Sequence, residues 1–284
     1  MSGTLGTLFV VATPIGNLED VTLRALRILR EVSVIAAEDT RRTSRLLQHY
    51  SISTPTISLH EHNERSKTPS LVERLTRGES IALVSDAGTP VVSDPGAQLV
   101  AAAHAAGARV EPIPGPSALL AAISSSGFGG DGFLFLGFPP SRAQQRRKWL
   151  SAVAGETRPL VLYEAPHRIR DTLEDMKSIL GDRTIALGRE LTKAHEELVV
   201  RPISDILETM REPKGEYTVV IAPASTEDAS QAAPSVENLW EEFGQLTNTG
   251  GLSRRDIVRQ LADKYGLSQR EVYTKIEDAR RSVI

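Results

Sequence analysis

Short apolar runs rich in β-branched residues alternate along the chain with stretches in which apolar positions recur every three or four residues. The runs fall at residues 8–12, 34–37, 56–59, 81–85 and 110–113, then at 133–136, 160–163, 184–188 and 217–222. Apolar runs of this length predict strands, and the amphipathic stretches between them predict helices. Helix starts are marked by Asp20 ahead of residues 21–29 and by Ser117, after Pro116, ahead of residues 118–126; either side chain can accept a first-turn N–H. Regular alternation of strand and helix predicts an α/β fold as far as Ala224. Four glycines between Gly127 and Gly132 interrupt the alternation, so two α/β domains are expected, 1–126 and 127–224. Residues 225–234 are small, polar and closed by Pro234, which is linker composition. A third module follows at 235–284. In it, residues 252–273 read as two helices around a turn at Gly266, opened by Ser253 and Ser268, either a helix-turn-helix or a helical pair packed on the main body or on a partner subunit.

Composition narrows the class. At 284 residues, with 40% hydrophobic and 24% charged positions, the chain can bury a sizeable core and is neither disordered nor fibrous. It has no cysteine, which excludes disulfide scaffolds, thiolate nucleophiles and cysteine-ligated metals. No apolar run approaches the roughly 18 residues of a membrane span. The early apolar run stops at Pro14, before the first basic residue, Arg24, so no signal peptide is expected and the protein should be cytoplasmic. The net charge of −3 hides an uneven distribution: from residue 251 onward eight Lys and Arg face five Asp and Glu.

Several motifs need weighing. Gly127-x-Gly129-x-x-Gly132 has the spacing of a dinucleotide loop but precedes a strand instead of following one, so it reads as a hinge. No phosphate-binding Gly-x-x-x-x-Gly-Lys-Ser/Thr is present. His60 and His62, two apart, would point to opposite faces of a strand, which argues against a metal and leaves His60 or Asn63 at the sheet rim. Three loops combine Gly and Pro directly after predicted strands: Thr13-Pro14-Ile15-Gly16-Asn17, Ser85-Asp86-Ala87-Gly88-Thr89-Pro90 with Ser93-Asp94-Pro95-Gly96, and Pro114-Gly115-Pro116-Ser117-Ala118. If the strands are parallel, these loops converge on one cleft and let backbone groups approach a ligand, with Asp86 as an acceptor. A second set is charged: Glu38-Asp39-Thr40-Arg41-Arg42, Tyr163-Glu164-Ala165-Pro166-His167-Arg168 and Arg189-Glu190-Leu191-Thr192-Lys193. Such groups can orient and deprotonate a hydroxyl, or form salt bridges along a cleft. Arg142, Arg146, Arg147 and Lys148 make a run without acids, suited to phosphates or to a solvated helix face.

Taken together, Thr13–Leu18, Ala37–Arg41, His60–Glu64, Ser85–Pro90 with Asp94–Gly96, Pro114–Ala118 and Arg189–Lys193 resemble the family of ribosomal RNA small-subunit methyltransferase I, within the tetrapyrrole-methylase superfamily. The likeness runs in order from Thr7 to about Ala222, and the basic tail is similar to that family's C-terminal helices. It implies two α/β domains with S-adenosylmethionine in the cleft between them. The implied reaction is methyl transfer to the ribose 2′-hydroxyl of a cytidine in the decoding region of 16S ribosomal RNA. By the same resemblance Pro14, Ile15, Asp86, Ala87, Gly88, Thr89, Ser117, Ala118 and Tyr163 would line the cofactor pocket, with Glu190 and Tyr217 closing it from the second domain. The loop at Ser85–Pro90 departs from the Gly-Asp-Pro of small-molecule tetrapyrrole methylases, which favours the RNA branch. A homodimer is implied, and no metal or membrane is needed.

From their place at the cleft edge, Lys193 or Glu38 and Asp39 are expected to orient or deprotonate the hydroxyl. Arg41, Arg42 and Arg189, and the run Arg142, Arg146 and Arg147, are expected at RNA phosphates. Two rival readings are a methyltransferase acting on a small tetrapyrrole-like acid, which would not need the basic segments, and a non-enzymatic nucleic-acid-binding regulator, which would leave the first 222 residues idle.

Overall fold

The computed structural model describes residues 4–224, 236–248, 253–265 and 268–282. Five strands form the first sheet: β1 (Thr7–Val11), β2 (Val34–Ala37), β3 (Thr56–Ser58), β4 (Ile81–Val84) and β5 (Arg109–Ile113), in the order β3-β2-β4-β1-β5. Every pairing in it is parallel. Parallel strands need crossovers, here α1 (Leu23–Glu31), α2 (Thr40–His49), α3 (Glu64–Thr76) and α4 (Ala97–Ala105). These cover both faces, so β2 and β4 are buried at every position and their sequences show no polar alternation. Ile35, Ala37, Ala82 and Val84 pack on Ile28 and Leu29 of α1 and Leu47 of α2. Their neighbours Val34, Ala36, Ile81 and Leu83 turn the other way, onto Leu71 and Leu75 of α3 and Leu99 of α4. Thr22, and not Asp20, caps α1: Ala25 N–H donates to its Oγ1 at 3.1 Å, while Asp20 ends a short 3₁₀ turn.

The second sheet is mixed. It runs β6 (Leu134–Phe135), β7 (Leu160–Glu164), β10 (Tyr217–Ile221), β8 (Thr184–Arg189), β9 (Glu197–Pro202). Only β6 and β7 are parallel; β10 is antiparallel to both β7 and β8, and β9 to β8. Strand β9 was not expected from sequence. It is an edge strand with no fully buried position, so its apolar run is short and flanked by charge. Helices α6 (Ala143–Ser151), α7 (Ile169–Leu180) and α8 (Ile203–Thr209) cover one face, where Leu150, Leu173, Met176 and Ile206 meet Leu160, Leu162, Ile185 and Val219.

The other face is covered by α5 (Ala118–Ser126), which begins at its Ser117 cap as expected. The glycine boundary counts α5 with the first domain, yet Leu119, Ala122 and Ile123 pack on Val161, Ala186 and Val220 of the second sheet. The cores therefore divide at residues 114–117. The glycine loop follows a helix and connects α5 to β6.

Three helices, α9 (Val236–Asn248), α10 (Arg254–Tyr265) and α11 (Gln269–Ser282), bury Leu239, Phe243, Ile257, Leu261, Val272 and Ile276 together. Ser253 and Ser268 cap α10 and α11 by accepting the N–H of Asp256 and of Glu271, each at 3.2 Å. Helix α9 was not expected. The linker proposed at 225–234 and the turn at Gly266 lie outside the described residues.

Candidate functional site

A parallel sheet sends the loops after β1, β2, β4 and β5 to the same edge. They are tied there to one another. Thr13 and Gly88 exchange N–H···O=C bonds of 2.9 Å, and Thr89 Oγ1 donates to the Pro116 carbonyl at 3.3 Å. Gly88 adopts φ +81°, a conformation that costs a side chain-bearing residue free energy. Opposite stand the ends of β7 and β8 and the start of β10, aligned because Tyr217 pairs with both Glu164 and Arg189. Between the two sets lies a cleft of about 380 Å³.

Its walls divide by chemistry. Ile15, Ala118, Leu191, Phe138 and Tyr163 supply apolar surface, and Glu38, Asp86 and Asp94 supply carboxylates. Asp86 is held in place: its Oδ1 accepts the Asp39 N–H at 2.9 Å, its own N–H donates to Glu38 Oε2 at 3.2 Å, and Arg42 lies 3.4 Å from Oδ2. Burial raises the Glu38 carboxyl above its ordinary value, against the lowering effect of the Asp86 N–H. Asp94 is pushed up to about 6, first by burial and then by the nearby charges of Glu38 and Asp86, against a hydrogen bond from Ser85. Burial also raises the Tyr163 phenol, whose oxygen accepts the Leu119 N–H at 3.2 Å.

Lys193 enters the cleft on a loop with two residues in the left-handed region, Glu190 at φ +50° and Thr192 at +68°. Thr192 Oγ1 accepts the Asn17 N–H at 3.1 Å, which ties this loop to the first sheet. The stem of Lys193 lies where a Cβ on Gly16 would sit, and the Glu190 side chain fills the space above Gly215. Lys193 Nζ donates to Glu190 at 2.8 Å and to Glu216 at 3.0 Å. Burial pulls its ammonium down, but the two carboxylates outweigh burial and leave the pKa above the ordinary lysine value.

Of the residues singled out from sequence, the cleft brings together Ile15, Glu38, Arg42, Asp86, Ala87, Gly88, Thr89, Ser117, Ala118, Tyr163, Lys193 and Tyr217. Others need correction. Pro14 lines a smaller adjoining recess, and Glu190 stands behind Lys193 instead of on the wall. Asp39 faces away: it caps α2 and pairs with Arg41, whose guanidinium holds that carboxyl below the usual range. Lys193 is a doubly paired ammonium and so cannot be a ready base. Arg146 is buried against Asp175, with Nη2 to Oδ2 at 2.6 Å, and cannot reach a phosphate. Arg147 shares Asp175 but is exposed, as are Arg41 and Arg142. Arg189 turns to Glu197, 3.5 Å away, in a groove outside the cleft.

His60 and His62 do not straddle a strand. The chain turns after β3, Glu64 N–H bonding back to the His60 carbonyl at 2.9 Å, and their rings stand 6.0 Å apart. Among the described residues no group of His, Cys, Asp and Glu is arranged to hold a metal ion. Asp94 and Phe138 are cleft residues to which the sequence reading assigned no role. The Gly-Pro motif around Asp94 was visible, but its burial depends on distant segments.

Residues 7–207 match the family model of tetrapyrrole (corrin/porphyrin) methylases. A protein of Synechocystis sp. named ribosomal RNA small subunit methyltransferase I is 47% identical over 272 residues, which is 95% of this chain and 96% of that one. One of the same name from Pseudomonas aeruginosa is 50% identical over 222 residues, 76% of this chain and 79% of its own. Among solved structures, the methyltransferase CobJ superposes with a TM-score of 0.59 at 21% identity, over 77% of this chain and 95% of that chain. Uroporphyrin-III C-methyltransferase from Thermus thermophilus, complexed with S-adenosyl homocysteine, gives 0.55 at 19% identity, over 76% and 97%. At such identities the two structures bear on the fold alone.

Proposed function

Because the chain belongs to the tetrapyrrole methylase family, and within it to the ribosomal RNA small-subunit methyltransferase I branch, we propose that it 2′-O-methylates a cytidine ribose in the decoding region of 16S ribosomal RNA. The observation that carries this reading is the match at 47% identity across 95% of the chain to a relative of that name. The small-molecule alternative draws on the broad family model and on structural neighbours of low identity, whereas the relatives at 47% and 50% identity carry the ribosomal RNA name.

S-adenosylmethionine is the methyl donor in this reading, and the cleft suits it. Its volume matches a nucleoside-sized ligand. Small residues at Ala87 and Ala118 let a ligand approach the backbone closely, Gly88 gives room beside them, and the carboxylates favour a cation. When bound, the cofactor supplies a methyl carbon already activated by a positive sulfur. The protein's share is therefore to align the acceptor hydroxyl, exclude water and take one proton.

Asp86, fixed by Arg42 and the Asp39 N–H, orients the polar end of the cofactor. Ile15, Tyr163 and Tyr217 flank its apolar parts. Lys193, held by Glu190 and Glu216, is a positioning group that secures the second-sheet wall. Arg41 and Arg42 beside the cleft mouth, with Arg142 and Arg147 further out, contact phosphates. The exposed Phe138 ring offers a stacking surface for an unstacked base, the usual state in which RNA is read. The reading extends to a substrate within the small ribosomal subunit, a homodimeric enzyme and a cytoplasmic setting. No helix among the described residues is long and apolar enough to cross a membrane.

Titration calorimetry with S-adenosylmethionine tests the cofactor. Micromolar binding, about −8 kcal/mol, weakened by Asp86→Ala, is the expected result. Mapping of methylated ribose on small-subunit RNA then tests the substrate. No binding by a folded sample in calorimetry and in a second method would overturn the reading.

A further inference from the structure

We infer that Asp94 is the proton acceptor for the attacking ribose hydroxyl, an assignment that rests on the methyl-transfer reading above. The loop that carries it, residues 85–96, is fixed at both ends. At its start are the Thr13–Gly88 and Thr89–Pro116 hydrogen bonds. At its end the buried carboxylate of Glu64 accepts three backbone N–H groups, from Gly96 at 3.1 Å, Gln98 at 2.8 Å and Leu99 at 3.3 Å. Between these anchors Val91 and Ser93 are held at φ +74° and +65°. A β-branched residue adopts that conformation only where its surroundings impose it, and such strain gathers at functional sites. Here it turns Ser93 and Asp94 onto the cleft wall.

The other candidate groups are occupied. Lys193 is protonated and paired twice, Asp39 faces Arg41, and Asp86 is taken up by Arg42 and a backbone N–H. Among the described residues no lysine or arginine forms an ion pair with Asp94. The groups that face it are the Ser85 hydroxyl, the carboxylates of Glu38 and Asp86, and the Tyr163 phenol. Burial and the two carboxylates raise its pKa to about 6, so it is more basic than an ordinary aspartate yet still ionised at neutral pH. Glu38, bound to the Asp86 N–H, tunes that basicity.

In the step, the hydroxyl oxygen forms a bond to the methyl carbon. The methyl–sulfur bond breaks with its electron pair going to sulfur, which becomes a neutral thioether. The hydroxyl proton passes to the Asp94 carboxylate and from there to solvent.

Single-turnover methylation of small-subunit particles across pH 5–9, beside cofactor calorimetry, tests the assignment with Asp94→Asn, Asp94→Glu and Glu38→Gln. With S-adenosylmethionine saturating, as fixed by the calorimetry of each variant, Asp94→Asn is expected to slow transfer by about 10²–10⁴-fold, beyond any loss of cofactor affinity, and Asp94→Glu to restore part of the rate. The parent rate should climb to a plateau with a midpoint near the Asp94 value. Glu38→Gln should move that midpoint to lower pH, because a repelling negative charge is gone. Asp94→Asn within about threefold of the parent, with an unmoved midpoint, would overturn the assignment alone. A parent protein that transfers no methyl to the particle would overturn the methyl-transfer reading and this assignment with it.

Discussion

Two residues show how far a side chain's neighbourhood can depart from its place in the sequence. Arg146 stands in a run free of acids, but its partner Asp175 is 29 residues further on, across the α6–α7 contact. Arg146→Ala strips a buried carboxylate of its buried cation, leaving only the exposed Arg147. It should lower unfolding free energy by about 3 kcal/mol, read as a urea midpoint, whereas Arg147→Ala should cost less than about 1 kcal/mol. Asp94 could be read as part of a Gly-Pro loop, but among the groups around it are Glu38, which follows β2, and Tyr163, on β7, and no local pattern reports such neighbours. Its folded-state pKa of about 6 lies above the ordinary 3.8, so the folded chain holds that proton more tightly than the unfolded one. The resulting stabilisation is present at low pH and is lost as pH rises through about 6, leaving an ionised group that weighs against folding. Asp94→Asn should therefore raise the urea midpoint at pH 8 and bring no such gain at pH 4, a stability gained where function is given up.

Elements were legible in proportion to their burial. The central strands β2 and β4, apolar throughout, could be placed from the chain alone, and so could the Ser117, Ser253 and Ser268 caps, because a cap is a local hydrogen bond. Strand β9 was missed because an edge strand leaves half its side chains outside. The start of α4 shows a different limit: Gly96 has no side chain to cap the helix, and Glu64, 32 residues earlier, does so instead. Replacing Glu64 by Ala should cost about 1–2 kcal/mol of stability and speed amide exchange at Gly96, Gln98 and Leu99 above the rest of α4, measured by hydrogen exchange.

At the scale of the whole chain, strand-helix alternation gave the α/β class and the parallel first sheet. It could not give the antiparallel seating of β10, which depends on where the chain returns. Truncation after Ala224 removes the three C-terminal helices, whose apolar positions pack on one another. The remaining protein should keep its calorimetric cofactor binding and lose affinity for small-subunit RNA in a filter-binding assay. The seating of α5 has a consequence of another kind. A polypeptide severed between Gly129 and Gly130 would release one piece bearing a helix whose apolar stripe has lost its cover, and a second piece with one sheet face bare. Each lacks what the other carries, so the two pieces, expressed separately and mixed, should reassemble stoichiometrically and regain cofactor affinity. A cut placed at 114–117 would leave α5 on its own sheet and remove that adhesive.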